Sequence, residues 1–313
     1  MTKRQRDDVR HSSFGLHSEF VIRHSTFLLS VATKNGVQFI APAKINLSLE
    51  IRGKRPDGFH EIETLMVPIS LADTLDIQRA DGGGIAFTCS DPTLPAGDDN
   101  LVARAAKLFF ERRKMKPNVR IHLEKRIPHG AGLGGGSSDA ATTLMGLNEL
   151  FGAGFDTPAL SAMAAELGSD IPFFVYRSAA VCRGRGELVE PVAFAEPLPL
   201  LLIKPPFGVP TPWAYQHWSG SKELPGIPYG AQVFPWGKLV NDLERPVFEK
   251  YIFLAMVKRW LLAQPEAEGA LMSGSGSTMI AVLREALKAT ALQEKIAVEF
   301  GEGLWICSCS AVV

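Results

Sequence analysis

A segment rich in glycine and serine, "PHGAGLGGGSSDAA", stands between an alternating stretch and a regularly apolar one. Residues 130–138 contain five glycines and two serines. Successive glycines that lead into a helix present backbone N–H groups and the positive end of the helix to one point, which suits a bound anion. Glycines also let the backbone approach a bulky phosphate closely. The segment therefore predicts a phosphate-binding loop, and a flexible linker or tight turn is the alternative.

Two common phosphate loops do not fit the residues around this segment. Gly130, Gly132 and Gly135 satisfy the dinucleotide pattern G-x-G-x-x-G, which is weak by itself. A dinucleotide loop should follow a fully buried parallel strand, whereas "VRIHLEK" alternates as a half-exposed antiparallel strand does. The sequence also lacks G-x-x-x-x-G-K-S/T and the protein-kinase signatures "HRD" and "DFG". A different design for nucleotide binding is indicated.

The strands that would hold such a loop are recognisable from their alternation. In "VQFIAPAKINLSLEIRG", apolar residues recur at period two, which predicts a half-buried strand with Lys44, Asn46, Ser48 and Glu50 on its polar face. The segments "EIETLMVPIS" and "DTLDIQRA" predict further strands after an Asp57-Gly58 turn. The first part of the chain is therefore predicted to form an antiparallel sheet.

Helical patterns surround the glycine loop. Residues 100–114 predict one helix, and the apolar spacing that ends at Phe151 predicts another directly after the loop. A third helix is predicted with Thr157 as N-cap, Pro158 in its first turn and Gly168 past its end. Asp170 follows this stop, in a short loop before the apolar segment "IPFF", which is interpreted as a strand.

The remaining chain predicts a second unit of helix on sheet, so the fold class is α+β with two layers in each part. A proline-dense stretch suggests a boundary near residue 196, which divides the chain into an extension over 1–36, a first domain over 37–196 and a second over 197–313. In the second part, helices are predicted over 236–244 and 248–262. The segment "GALMSGSGSTMIAVL" predicts another glycine loop between strands.

At this point the sequence resembles the GHMP kinases, a family named for galactokinase, homoserine kinase, mevalonate kinase and phosphomevalonate kinase. "PHGAGLGGGSS" is similar to the family's P-x-G-x-G-L-G-G/S-S-S/G loop, with His129 and Ala131 where methionine and glycine are frequent. "APAKINLSLEIRGKRPDGFHEIETLM", "GSDIPFF" and "SGSGSTMIAV" resemble the branch whose acceptor is a cytidine diphosphate-linked methylerythritol. The resemblance runs from Gln38 to the C-terminus.

The resemblance implies a two-domain GHMP kinase fold and a reaction. Its first domain would be a ribosomal-protein-like βαβ domain with the phosphate loop, its second a helix-on-antiparallel-sheet domain, and the active site would lie in the cleft between them. ATP would be the co-substrate with Mg²⁺, and the 2-hydroxyl of the acceptor would be phosphorylated in the methylerythritol phosphate route to isoprenoids. No separate all-protein magnesium site is evident in the sequence.

The resemblance also assigns residues. Phosphoryl transfer needs a carboxylate and a cation near the acceptor hydroxyl. The family's catalytic residues match Lys44 and Asp170, although a solvated lysine and a turn aspartate are the alternatives on the residues alone. The residues expected to bind ATP are Pro128, His129, Gly130, Ala131, Gly132, Leu133, Gly134, Gly135, Gly136, Ser137 and Ser138. Asp139 is expected to cap or neutralise the helix start rather than ligate metal.

The cytidine of the acceptor would need a stacking surface and hydrogen bonds. The residues expected to bind the acceptor are Asn46, Phe59, His60, Thr211, Tyr215, Gly274, Ser275 and Gly276. The alternatives are core aromatics, a satisfied core histidine and, for the three residues from Gly274, a simple turn. Residues 183–187, "RGRGE", are interpreted as a hairpin turn, with a phosphate clamp as the alternative.

Composition limits the other function classes. The 313 residues carry 33 basic and 33 acidic side chains, so there is no bulk field to attract nucleic acid or an anionic membrane. No apolar run reaches the length of about 20 residues that a membrane-spanning helix needs. The four cysteines are too few for a disulfide framework, which indicates reduced thiols and a cytoplasmic location. A plastid is the weaker alternative for the location.

Three points stay open at this level. The repetitive first 36 residues predict an unstructured extension or an overlong start, with a transit peptide as the weaker alternative. The rival functions are another GHMP kinase, such as homoserine or mevalonate kinase, and a non-catalytic nucleotide-binding or RNA-binding module. The oligomeric state is unknown.

Overall fold

The structure is a computed structural model that describes residues 30–33, 36–194 and 197–311. Most of the extension predicted over residues 1–36 lies outside these described residues. Within it, Val31–Thr33 forms strand β1, which pairs with the next strand. The predicted boundary near residue 196 also lies outside the described residues, and the division into domains stays a prediction.

Two sheets carry the described strands. The first has the order β4-β5-β3-β2-β10-β9, with β1 paired to β2, and β6 paired to both β3 and β7. The second is antiparallel with the order β11-β12-β8-β13. The strands after β1 are β2 Gly36–Lys54, β3 His60–Arg79, β4 Gly84–Cys89, β5 Asn118–Glu124, β6 Ala180–Gly184, β7 Leu188–Pro191, β8 Pro199–Lys204, β9 Gln232–Phe234, β10 Gly237–Asn241, β11 Ala267–Met272, β12 Met279–Leu283 and β13 Trp305–Ser310.

Helices cover the outer faces of the two sheets, which pack on each other through their inner faces. One core lies between the first sheet and the helices that cover its outer face. A second core lies between the two sheets and joins β2 and β3 to β8 and β12. A third core joins β8 and β12 to the C-terminal helices. The helices are α1 Leu101–Arg113, α2 Gly135–Phe151, α3 Thr157–Leu167, α4 Ile171–Tyr176, α5 Thr211–Gln216, α6 Glu244–Lys250, α7 Ile252–Leu262 and α8 Ala289–Phe300.

This architecture confirms the two-domain α+β fold predicted from the sequence. None of the helices in the described ranges is long and apolar enough to cross a membrane. All four cysteines are free, and Cys182 is fully buried.

A change of face within β2 sets the position of its polar residues. Phe39 packs in the core against the helices, whereas Ile45 and Leu47 pack in the core between the sheets. The pairing with β3 shifts register between Pro42 and Lys44. Between these pairs β2 advances by two residues and β3 by four, and such an irregularity lets a strand change the face that its later residues occupy. Lys44 and Asn46 are therefore buried instead of facing water, and Lys44 lies against Gly134 at the start of α2.

The helices around the glycine loop were largely predictable from their ends. Asn100 caps α1 through a hydrogen bond to the Val102 N–H, and α2 begins inside the glycine loop itself. The cap of α3 was predicted one residue too late: Asp156, and not Thr157, accepts the hydrogen bond of a first-turn N–H. An aspartate is an equally favourable N-cap.

Three secondary-structure predictions were wrong. Residues 171–176 form helix α4 and not a strand, because Pro172 occupies the first turn, where its fixed φ favours a helix. Residues 237–241 form β10 and not a helix, since they pair with β2 and β9. The single helix predicted over 248–262 is two helices, which Tyr251 separates with non-helical dihedral angles.

A buried ion pair fixes the helices of the second half. Lys258 Nζ lies 2.5 Å from Glu244 Oε2, and both side chains are 1% exposed. Glu244 Oε1 accepts the hydrogen bond of the Met272 N–H at 2.9 Å, at the end of β11. Burial raises the pKa of Glu244, although Lys258 and the Met272 N–H oppose this effect. The pair therefore ties α6 and α7 to the strand that precedes the second glycine loop.

Lys258→Met should lower the free energy of unfolding by about 3 kcal/mol at pH 7, because it leaves a buried carboxylate without its counter-charge. Glu244 then binds a proton more readily in the folded state than in the unfolded state, so the loss should be smaller at pH 5. Urea titrations at both pH values measure it. Lys295→Met is the control. Lys295 is 44% exposed where it pairs with Glu266, so its replacement should cost less than about 1 kcal/mol. Equal losses in the two variants would contradict the prediction.

Candidate active site

A cavity of about 830 Å³ lies where the two glycine loops meet the polar face of β2. This volume is in the range of small-molecule sites. Its walls come from both halves of the chain, since the first glycine loop, β2 and β3 form one side and the start of α5 and the second glycine loop form another. The cavity brings most of the predicted site residues together.

The first glycine loop ends as the N-terminus of α2. Gly130, Gly132 and Gly134 have positive φ values of 63°, 74° and 69°. Gly134 is the N-cap of α2 and has no side chain to satisfy the first N–H groups of the helix. Residues 128–137 line the cavity, whereas Ser138 is fully buried behind them. The loop therefore offers backbone donors and a helix N-terminus to an anion.

The two glycine loops pack backbone against backbone. A Cβ atom on Gly132 would lie 2.4 Å from the Ser273 carbonyl oxygen, so only glycine fits there. Ser273 Oγ donates to the Gly132 carbonyl at 3.1 Å, and the Thr278 N–H donates to the Ala131 carbonyl at 3.3 Å. Ala131 is buried in the core between the sheets, so its methyl group points away from the cavity.

A buried charge cluster supports the first loop from below. Lys125 Nζ contacts Asp73 Oδ2 and lies 2.9 Å from Asp139 Oδ2. Asp73 Oδ1 also accepts hydrogen bonds from the Arg126 and Ile127 N–H groups, at 2.6 and 2.9 Å. Burial would lower the pKa of Lys125, but the carboxylates of Asp139 and Asp73 raise it overall, so this residue is charged. Burial raises the pKa of Asp139, which Lys125 opposes.

Lys44 lies at the centre of the cavity wall and is 3% exposed. Its Nζ donates to Asn46 Oδ1 at 2.7 Å, and Asn46 Nδ2 donates to Thr64 Oγ1 at 2.7 Å. Thr64 in turn donates its hydroxyl proton to the Ser48 carbonyl, which leaves it only as an acceptor for the Asn46 amide. This chain fixes the Asn46 amide so that its oxygen faces Lys44.

Asp170 lies opposite Lys44, at the position before α4. Its Oδ2 is 3.6 Å from Lys44 Nζ, and its side chain is 42% exposed while that of Lys44 is 4% exposed. The carboxylate is therefore open to the cavity, whereas the ammonium is held by the protein. A carboxylate and a cation in this arrangement can accept a proton from a hydroxyl group and stabilise the developing charge.

Aromatic side chains form another end of the cavity. The rings of His60 and Tyr215 stack with centroids 5.4 Å apart and an interplanar angle of 29°, and Trp218 contacts His60 edge-on. Phe59 is 51% exposed. Burial, and then the charge of Lys54, lower the pKa of His60, so its ring is neutral at neutral pH. This end offers flat surfaces and a neutral imidazole.

The second glycine loop closes the cavity from the opposite side. Gly274 and Ser275 line it, whereas Gly276 contacts the first loop instead. Thr211 Oγ1 and Ser275 Oγ are 2.8 Å apart, so the start of α5 is tied to this loop. Asn241 Nδ2 donates to the carbonyl oxygens of Met272 and Gly274, at 2.7 Å each.

Sequence reasoning missed the residues that support the site. Asp73 and Thr64 lie on β3, and both are buried polar residues. This burial is visible in the structure but not in the sequence. Asn241 lies in a segment predicted as a helix. Within the described residues, no group of three or more His, Cys, Asp and Glu side chains could hold a metal ion.

Comparisons with known proteins show the family of the chain. The family model described as "GHMP kinases N terminal domain" matches residues 100–178. A relative from Methylacidiphilum infernorum (isolate V4), named 4-diphosphocytidyl-2-C-methyl-D-erythritol kinase, is 44% identical over 254 residues, which cover 80% of this chain and 88% of that protein. A relative of the same name from Syntrophotalea carbinolica is 39% identical over 267 residues, which cover 84% and 95%.

Solved structures show the same fold. A crystal structure of 4-(cytidine 5'-diphospho)-2C-methyl-D-erythritol kinase has a TM-score of 0.73 and 36% identity, and the match covers 88% of this chain and all of that one. Homoserine kinase from Cytophaga hutchinsonii has a TM-score of 0.65 at 19% identity, with 90% and 96% covered. The second likeness is evidence for the fold alone.

Gly132→Ala should weaken ATP binding and lower the melting temperature far more than Gly130→Ala. Both residues have left-handed dihedral angles, which cost a non-glycine residue about 1–2 kcal/mol. Only at Gly132 would the new methyl group also meet backbone, since a Cβ on Gly130 has no atom within 4 Å among the described residues. Nucleotide titration and thermal unfolding of both variants measure the difference. Equal effects would show that the contact between the loops is unimportant.

Proposed function

The chain belongs to the 4-diphosphocytidyl-2-C-methyl-D-erythritol kinase family of the GHMP kinases. We propose that it transfers the γ-phosphoryl group of ATP to the 2-hydroxyl of 4-diphosphocytidyl-2-C-methyl-D-erythritol. The observation that carries the proposal is the pairing of Lys44 Nζ and Asp170 Oδ2 at 3.6 Å. The pair lies in one cavity with a glycine loop suited to phosphate and an aromatic end suited to a base. The product would be an intermediate of isoprenoid biosynthesis by the methylerythritol phosphate route.

ATP would bind with its phosphates against residues 128–137. Backbone N–H groups and the N-terminus of α2 would hold the negative charge, so no side-chain cation is required in the loop. Lys125 lies directly beneath the loop but is already paired with Asp73 and Asp139. Its role would be to support the loop rather than to bind phosphate as a free cation.

Mg²⁺ would be bound mainly by the phosphates of ATP. Ser137 lines the cavity at the start of α2 and its hydroxyl oxygen is of the kind that this ion prefers, whereas Asp139 is engaged by Lys125. The ion supplies neutralisation of the phosphate charge when it is bound. The protein's own contribution at this point is the orientation of the triphosphate along the loop.

The proton of the acceptor hydroxyl would pass to Asp170. The hydroxyl oxygen would attack the γ-phosphorus while the Asp170 carboxylate accepts its proton, and the bond from the γ-phosphorus to the bridging oxygen would break to release ADP. Lys44 would stabilise that carboxylate by charge attraction and would donate a hydrogen bond to the hydroxyl oxygen. Asn46 holds the ammonium in place, because its amide oxygen accepts one of the three N–H donors.

The cytosine ring would bind at the aromatic end. Phe59 offers an exposed face, and the ring of Tyr215 lies against His60. A neutral His60 can donate or accept a hydrogen bond at the edge of the base. Thr211 would lie beside this subsite, where its hydroxyl group contacts that of Ser275. Homoserine and mevalonate contain no aromatic base and would leave these surfaces unused.

Asp170→Asn should lower kcat by about 100- to 10,000-fold, because an amide cannot accept the proton. The Km for ATP and the melting temperature should remain near those of the unmodified protein, since the replacement is isosteric and the side chain is 42% exposed. Steady-state kinetics and thermal unfolding check this prediction. A variant that retains near-normal kcat would remove Asp170 from the mechanism.

A panel of acceptors separates this function from its rivals. With Mg-ATP, the protein should phosphorylate 4-diphosphocytidyl-2-C-methyl-D-erythritol and release ADP in a 1:1 ratio, and it should be inactive on homoserine and mevalonate. Product analysis by ³¹P NMR identifies the modified hydroxyl. Turnover of homoserine or mevalonate alone would favour another kinase of the family. Nucleotide binding without turnover of any acceptor would favour a non-catalytic module.

A further inference from the structure

The hairpin between β6 and β7 carries two arginines near its turn. The segment "RGRGE" spans the end of β6 and this turn, which confirms the interpretation as a hairpin. One of its two arginines, Arg185, also lines the active-site cavity. Arg183 lies outside the cavity lining, where it pairs with Glu63 and Glu190 at 2.9 and 2.6 Å. The turn therefore presents one arginine to the cavity and one to the surface.

Arg185 lies between the aromatic end of the cavity and Asp170. Its Cζ is 4.8 Å from the centre of the Phe59 ring. The next residue, Gly186, lies against the other group, since a Cβ there would be 3.2 Å from Asp170 Oδ1. A ligand that reaches from Phe59 to Asp170 therefore lies along the turn that carries Arg185.

The other cations of the cavity are engaged with protein groups. Lys44 is held by Asn46 and Asp170, and Lys125 by two buried carboxylates. In the described chain Arg185 forms one ion pair, with Glu187, whose Oε1 is 3.9 Å from its Nε. Glu187 Oε2 accepts the hydrogen bond of the Arg185 backbone N–H at 2.6 Å. The guanidinium is thus only loosely paired, and its side chain is 32% exposed.

The acceptor of the proposed reaction has an anionic group at the corresponding position. In a cytidine diphosphate-linked methylerythritol, the diphosphate joins the base-bearing ribose to the polyol that carries the 2-hydroxyl. With the base at Phe59 and the 2-hydroxyl at Asp170, the diphosphate lies beside the hairpin. A guanidinium presents a planar set of N–H donors that matches two phosphate oxygens at once.

We propose that Arg185 binds the diphosphate of the acceptor and thereby selects cytidine diphosphate-linked polyols over uncharged or monophosphorylated cytidine compounds. This inference rests on the proposed function, because it takes the orientation of the acceptor from it. The contact to Phe59 holds the guanidinium over the base subsite, so base and diphosphate are recognised together. The residue acts in binding and takes no part in the proton transfer.

The test compares cytidine, CMP and CDP as probes of the acceptor subsite. Dissociation constants are measured by calorimetry on the full chain for the unmodified protein, Arg185→Ala, Arg185→Lys and the control Arg183→Ala. Arg185→Ala should weaken CDP by about 10- to 100-fold, the usual range for loss of a charge-assisted pair, and should leave cytidine within about twofold. Arg185→Lys should be intermediate, because it keeps the charge but loses the paired donors.

Kinetics on the full acceptor supply the second measurement. Arg185→Ala should raise the Km for the acceptor by a similar factor, with the Km for ATP unchanged, and Arg183→Ala should change neither. The inference is overturned if Arg185→Ala weakens cytidine as much as CDP, which would mean that it acts only through Phe59. It is also overturned if only the Km for ATP rises, which would assign the guanidinium to the triphosphate.

The same experiments keep the two proposals apart. Lack of turnover of the acceptor by the unmodified protein would refute the proposed function. Normal turnover together with unchanged CDP binding in Arg185→Ala would refute the inference about Arg185 alone. Thermal unfolding of each variant establishes that the hairpin is intact before the binding data are compared.

Discussion

The direct contact between the two glycine loops is the constraint on which the rest of the site depends. Gly132 and Ser273 approach so closely that a side chain on Gly132 would overlap the facing carbonyl. This contact sets the distance between the loop that would hold ATP and the half of the chain that closes the acceptor side. Asn241 and the Glu244–Lys258 pair hold the second loop from behind, so a change in either would move the cavity wall. These buried polar groups therefore fix the position of the second loop, although their burial costs desolvation free energy.

Lys44 is fixed by the same arrangement from two directions. Its backbone N–H donates to the Leu133 carbonyl at 2.9 Å, which joins β2 to the first loop, and its side chain is held by Asn46. Gly134 leaves the space that the stem of Lys44 occupies, since a Cβ there would lie 3.0 Å from Lys44 Cγ. The glycines of this loop thus leave space for the side chain of Lys44 as well as for the phosphate of the proposed nucleotide. A site on a strand and a helix end, with side chains locked by their neighbours, is well suited to hold reacting groups in one geometry.

The sequence predicted the features that arise from local patterns and missed those that arise from pairing at a distance. The glycine loop and the alternation of β2 are legible in a few residues, and so are the helices on either side of the loop. The register shift at Pro42 is not, because it depends on how β2 pairs with β3, and it turns Lys44 from a solvated position into a buried one. Likewise, residues 237–241 form β10 because they pair with β2. By itself this short segment fits a helix as well as a strand. Asp73 gave no signal, since its role appears only when β3 and the loop are adjacent in space.

The distribution of charge in the cavity has a consequence for the proposed chemistry. A free lysine at the centre of a cavity for two phosphorylated substrates would be attracted to whichever phosphate came nearest. Lys44 avoids this because Asn46 accepts a hydrogen bond from its ammonium and Asp170 balances its charge, while the phosphates have other partners. The first loop offers backbone dipoles to one substrate, and Arg185 offers a loosely paired guanidinium to the other. In the proposed reaction each anion has its own partner, so Lys44 can remain beside Asp170, whereas an additional phosphate contact would pull these two side chains apart.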